Sequence, residues 1–209
     1  MPLPMVHLAV AVQAHALTGR ALAPEFLLGC LAPDAIHMRA GSQLEDKVRV
    51  HLRVSELSTA ETLERIRRFI GQERAQDAFI EGYAAHLLTD HWWRMEVILP
   101  FAEKLPPGTT REARRTVYYR ETDQVDFNLY HQSPWRQEVW ELLATASAPE
   151  FAPYLTADEI HRWRLRSLDW FEKLMQEPGI VPERITQDMV EEFIKASAEK
   201  ISAFLFPRG

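Results

Sequence analysis

Between Phe79 and Trp93 the chain reads FIEGYAAHLLTDHWW, apolar almost all the way round and too long for a strand. A helix of that pattern is expected to be buried on every side. Elsewhere, apolar stretches are punctuated by helix starts and stops, and no stretch alternates apolar and polar positions between turn signals. The pattern therefore predicts an all-α chain of about eight helices, a single-domain bundle over 1–209 built round a buried central helix.

Pro4 can open a first helix to about Leu17, with Gly19 as its stop. Pro24 opens a second, EFLLGCLA, which Pro33 closes before Asp34 and His37. Arg39 to Gln43 reads as a loop, and Leu44 to Leu57 as a helix of mixed pattern. Ser58 with Glu61 forms a capping box for a surface helix to Ile70. The buried helix is expected over Ala75 to Leu99, ended by Pro100. PPG at 106 to 108 is a turn, and Thr109 with Glu112 is a capping box for a long helix to about His131. Ser133 and Pro134 start a helix to about Ala146. Thr156 with Glu159 caps another to Met175, and a last helix reaches about Phe204.

The buried helix carries two polar residues at i, i+4, His86 and Asp90, on one face, with Gly82 one turn earlier. At Gly82 another group can approach the backbone closely. An ionised Asp in an apolar helix needs a partner. Either Asp90 hydrogen-bonds a neighbour and His86 is a satisfied core histidine, or imidazole and carboxylate together hold a metal ion.

Composition narrows the classes. Hydrophobic residues make up 46% and charged residues 26%, as in folded proteins. A net charge of -6 argues against a dedicated nucleic-acid binder. One cysteine, Cys30, excludes an intramolecular disulfide and a cysteine-based zinc knuckle, so a metal here would use His, Asp and Glu. The opening MPLPMVHLAV lacks a basic n-region, and no apolar run is long enough to span a bilayer. The expectation is a cytoplasmic protein without stable membrane insertion.

The order PMVHLAVA, FLLGCLAPDAIH, KVRVH, GYAAHLLTD resembles the bacterial zinc-dependent phospholipase C family, whose all-helical fold is shared with certain zinc-dependent single-strand nucleases. The likeness covers roughly residues 1 to 95, with a looser echo to about 135. Its most specific part is H-x-x-x-D in a buried helix, preceded in order by a His, a Pro-Asp and another His. The resemblance implies His7, Asp34, His51, His86 and Asp90 as zinc ligands, with Asp90 bridging two ions. It implies phosphoester hydrolysis by metal-activated hydroxide, with Asp34 and Asp90 as catalytic acids and Asp34 as a candidate proton acceptor. Manganese or iron would suit the same donors. No H-x-x-x-E follows Asp90, so a further ion would draw on Glu121, Asp123 or Asp126. One or two ions are expected rather than three.

Three residues are additional candidates, as ligands or as supports for them: His37, His91 and Asp126. His37 is a ligand, an orienting group or a polar loop residue; His91 lies about 100° round the helix from Asp90; Asp126 is a ligand or part of a solvated stripe. His15 reads as a satisfied helix histidine, His131 and His161 as surface residues, and Cys30 as a buried inert thiol. Trp92, Trp93 and Trp135 are core, or line an apolar pocket beside the metals. Lys47 and Arg94 are phosphate contacts or solvated charges. A small phosphoester or phospholipid-like molecule is the expected substrate. The alternatives are a non-catalytic metal-binding scaffold and a helical phosphohydrolase of the HD type.

Overall fold

The computed structural model describes residues 2–54, 57–73 and 77–207. Among these the chain is 72% helical with no strand, and its helices number nine. They are α1 (Pro4–Ala16), α2 (Pro24–Leu31), α3 (Leu44–Val50), α4 (Thr59–Gln72), α5 (Ala78–Trp93), α6 (Arg111–Gln132), α7 (Arg136–Thr145), α8 (Ala157–Asp169) and α9 (Gln187–Leu205). A 3-10 segment, Ala32–Met38, follows α2 directly.

The apolar helix α5 is the axis of the core. Twelve of its residues are buried, from Phe79 through Thr89 and at Trp93. Its tightest neighbour is α2, and glycine sets that closeness. A Cβ built on Gly82 would lie 2.0 Å from the Phe26 carbonyl oxygen; one on Gly29 would lie 2.1 Å from that of Phe79. Two glycines facing each other's backbones let the helices cross nearly main chain to main chain. Helix α1 packs on both α2 and α5 and against α9 on its other side.

Most helix starts follow local chemistry. Pro4 and Pro24 sit in the first turns of α1 and α2, where a missing N–H costs nothing. Ser58/Glu61 and Thr156/Glu159 form the expected capping boxes. The long α6 starts one residue later than its pattern suggests: Thr110 caps it by accepting from the Ala113 N–H, while the Thr109 hydroxyl donates to the Pro106 carbonyl. Helix α7 likewise starts past Pro134, at Arg136.

Three helix ends differ from expectation. The second helix does not stop at Pro33 but tightens into the 3-10 segment that carries Asp34 and His37. The α5 helix does not end at Pro100: it widens into a π-turn over Arg94–Ile98 and runs on through Leu99–Glu103. The wider turn carries the chain past a proline that cannot donate to the preceding turn. The expected start at Ala75 lies outside the described residues. Helix α3 ends at Val50, well short of Leu57, although Ser55 and Glu56 are also outside the described residues. Its stop is a Schellman turn: the Arg53 N–H donates to the Val48 carbonyl at 2.9 Å and the Leu52 N–H to Arg49 at 3.1 Å. Leu52 takes the left-handed position at φ 48°, where glycine is usual, and packs against the core.

An arginine clamp fixes the 3-10 segment. Arg39 makes two bonds to Glu159 of α8, 2.7 and 3.0 Å, and a third to the Tyr154 carbonyl at 2.8 Å. Glu159 is buried, so this pair ties the Asp34 turn to the start of α8.

Candidate metal centre

Five side chains from four segments meet beside α5. His7 comes from α1, Asp34 from the 3-10 segment, His51 from the residue that ends α3, and His86 and Asp90 from α5. His51 Nε2 lies 3.3 Å from Asp34 Oδ1, His7 Nε2 3.8 Å from Asp90 Oδ1, and His86 Nε2 4.0 Å from Asp90 Oδ2. The His7 ring stacks on that of His86, centroids 3.8 Å apart and planes 4° from parallel. Two triads have donor atoms mutually within 4.8 Å: His7, Asp34 and His86, and His51, His86 and Asp90. Atoms sharing an ion at about 2.0–2.2 Å lie roughly 3.0–4.4 Å apart, which the three distances above satisfy.

The tautomers follow from backbone geometry. His86 Nδ1 is 2.7 Å from the Cys30 carbonyl oxygen, and His51 Nδ1 is 3.1 Å from that of Lys47. A carbonyl only accepts, so each Nδ1 carries the proton and each Nε2 turns a bare lone pair inward. That is how backbone carbonyls orient a metal-binding imidazole. At His51 that nitrogen lies 3.3 Å from a carboxylate oxygen of Asp34. The close α2–α5 crossing is what brings the Cys30 carbonyl within reach of His86.

Six buried atoms of this cluster find no hydrogen-bond partner among the described residues: both ring nitrogens of His7, Nε2 of His51 and of His86, and Oδ1 of Asp34 and of Asp90. Buried polar atoms are seldom left so. Burial, and then the neighbouring His86, pushes the His7 pKa well down; burial lowers that of His86 also. Burial opposes ionisation of Asp34 and Asp90, but the surrounding imidazoles outweigh it, and both carboxyls fall below their usual range. Neutral imidazoles beside ionised carboxylates are the protonation state that metal binding requires. The donor set therefore fits a divalent cation such as zinc.

Asp90 is only partly committed to the cluster. Its Oδ2 accepts from Arg53 Nη2 at 2.8 Å, and half of the Arg53 side chain is exposed. The Schellman turn at Leu52 delivers this arginine to the rim.

The additional candidates separate. Asp126 is fully buried and belongs to no solvated stripe; its carboxyl accepts the Met5 and Val6 N–H groups, both at 3.3 Å. Helix α1 has no side-chain cap of its own, so Asp126 caps it from α6 and pins the turn that bears His7. Burial pushes the Asp126 carboxyl well up despite those two bonds. Glu121, also buried, accepts the Arg184 and Ile185 N–H groups at 2.9 and 2.7 Å. Neither acid joins a metal-binding group among the described residues. His91 Nε2 contacts Thr59 Oγ1 at 3.2 Å, joining α5 to α4 away from the cluster. His15 contacts the Arg20 carbonyl and packs on Phe26, as a satisfied histidine. His131 and His161 are exposed. Burial pushes the Cys30 thiol up, which makes it unreactive.

A cavity of about 150 Å³ opens beside Asp34. Its aromatic walls are not Trp92, Trp93 and Trp135 but Tyr119, Trp163 and Trp170, with His37 and Arg166 also lining it. His37 thus faces this cavity and lies outside the two donor triads. Sequence reasoning passed over Trp163, Arg166, Ser167 and Trp170. Their signal was spacing: i, i+3, i+4 and i+7 place them on one face of a helix.

Compared with known proteins, the chain matches no family model, no curated protein and no solved structure.

Proposed function

We propose that this protein is a metal-dependent phosphoester hydrolase with a phospholipase C-like site and fold, zinc being the preferred ion. The observation that carries the reading is the ring of six unpartnered atoms on His7, Asp34, His51, His86 and Asp90, with two tautomers locked so that lone pairs point inward. Zinc bound there would polarise a phosphoryl oxygen and lower the pKa of water towards about 7. Manganese or iron would suit the donors too.

One ion is favoured over two. His86 is common to both triads and has a single free ring nitrogen. Asp90 has given one oxygen to Arg53, whereas a bridging role takes both. Asp34, with its basicity depressed by its neighbours, is better suited to holding the ion than to accepting a proton at neutral pH. Arg53 supports a phosphoester in particular: it is a half-exposed guanidinium at the rim, where a departing or attacking oxyanion would meet it. His91, bonded to Thr59, offers no His-Asp doublet to the cluster, which weighs against a phosphohydrolase of the HD type.

Elemental analysis of the purified chain, paired with turnover of p-nitrophenyl phosphate, bis-p-nitrophenyl phosphate and p-nitrophenyl phosphocholine, tests the reading. The expected result is about one ion per chain and turnover of at least one ester, both lost in His86→Ala and Asp90→Asn. Metal without turnover would replace the hydrolase by a metal-stabilised scaffold. Turnover surviving both substitutions would reject this site.

A further inference from the structure

The cavity beside Asp34 has a composition of its own. Its floor includes Asp34 and Ser167, and its walls are Trp163, Trp170 and Tyr119. Arg166 lines it with its guanidinium 5.0 Å from the Trp170 ring centroid and no ion pair among the described residues. Apart from Asp34, whose charge a bound ion would offset, no acid lines the cavity.

These features choose between ligand classes. A quaternary ammonium group would want an aromatic cage free of competing cations. Here the cage holds an arginine, which calls for oxygen acceptors with negative charge. The volume, about 150 Å³, admits a single six-membered ring, and the Trp163 and Trp170 indoles offer it flat surfaces.

We infer that this cavity binds the non-reacting part of the substrate, and that this part is a compact aryl or heteroaryl group bearing an anionic substituent, not a choline-like headgroup. The inference rests on the hydrolase reading for the word substrate, but the binding site itself does not.

Benzenesulfonate, an anion that ligates metals weakly, and phenyltrimethylammonium, its cationic counterpart, separate the classes. Each is titrated into the intact chain, as purified and after chelation, following tryptophan fluorescence. Saturable quenching by benzenesulfonate alone is expected, weaker after chelation, which leaves the Asp34 charge in the cavity uncompensated. Arg166→Met should weaken it about tenfold, with Arg166→Lys retaining part of the affinity. Matching far-ultraviolet circular dichroism shows that the variants remain folded, since Arg166 is exposed. Equal or tighter binding of phenyltrimethylammonium, or an Arg166→Met titration like that of the parent, overturns the proposal. Benzenesulfonate binding in a chain that hydrolyses no phosphoester leaves this subsite standing and removes the hydrolase reading. Phosphoester turnover without benzenesulfonate binding does the reverse.

Discussion

Gly82→Ala is the sharpest probe of how the fold builds the candidate metal centre. The added Cβ would stand 2.0 Å from the Phe26 carbonyl oxygen and 3.0 Å from the Cys30 nitrogen, both backbone atoms of α2. Ordinary contact begins near 3.4 Å, so α2 and α5 must separate by about 1.4 Å along that line. No rotamer change relieves a clash with main chain. Overpacking costs about 1–3 kcal/mol, and alanine returns up to about 1 kcal/mol of helix propensity, leaving a net loss of about 1–2 kcal/mol. In a chain of this size that lowers Tm by about 2–8 °C.

The same displacement reaches the site. The His86–Cys30 bond spans the two helices at 2.7 Å, and stretching it by a similar amount breaks it. With its tautomer unlocked, His86 should hold an ion about 10–100 times less tightly. Chelator competition reads that loss, and thermal melts read the destabilisation. Gly71→Ala is the control. It lies in α4, where an added Cβ meets nothing within 4 Å, so its Tm should stay level or rise by a few degrees. A Gly82→Ala protein melting with the parent would refute the close-crossing argument.

Other perturbations follow from the same geometry. Asp126→Ala leaves the Met5 and Val6 N–H groups without their acceptor and should cost about 2–4 kcal/mol in urea unfolding; an unchanged midpoint would remove its role in anchoring His7. Glu159→Gln weakens the Arg39 clamp and should cost about 1–3 kcal/mol at neutral pH. The Arg39 hydrogen bond lowers the Glu159 pKa, so that stability is present above pH 4.5 and lost as pH falls through the lower folded value; the variant's deficit should therefore shrink in acid. His7, His15 and His86 all have lowered pKa values, chiefly through burial. Above pH 6.5 these histidines are neutral folded or unfolded, but below it the unfolded chain takes up protons that the folded chain refuses. Chelated protein should thus lose stability from pH 7 to 5, and a flat profile would show the histidines to be accessible. Chelation at neutral pH should lower Tm and added zinc restore it, with no shift expected if the cluster binds no ion.

Much of this architecture was legible because local signals and tertiary demand agree. Pro4, Pro24, Ser58 with Glu61, and Thr156 with Glu159 each open a helix for reasons contained in a few residues. An apolar surface all round left α5 nowhere to go but the centre. The side chains of His7, Asp34, His51, His86 and Asp90 do lie together, as the family resemblance implied. What stayed hidden depends on partners distant in sequence. Asp126 reads as one of several acids on a helix face until α1 is laid against it. Leu52 in a glycine's conformation and the π-turns after Trp93 and Asp169 carry no residue that announces them. The aromatic and basic face of Trp163 to Trp170 means little until the turn bearing Asp34 lies across it.

The electrostatics of the cluster explain why so many elements are spent on it. Leaving one buried polar atom unsatisfied costs about 1–3 kcal/mol, so six such atoms represent roughly 6–18 kcal/mol. Net stabilities of folded proteins are only about 5–15 kcal/mol. A chain that packed these groups together for no ligand would set most of its margin against itself. Replacing them with apolar residues of like size would be the simpler core. The arrangement instead keeps Asp34 and Asp90 ionised and disfavours charge on His7 and His86, holds two of the rings by backbone carbonyls, and anchors His7's helix through Asp126. Each of these devices holds a lone pair in place, and a cation between such lone pairs would stabilise them, so an ion bound here would couple its own binding to folding.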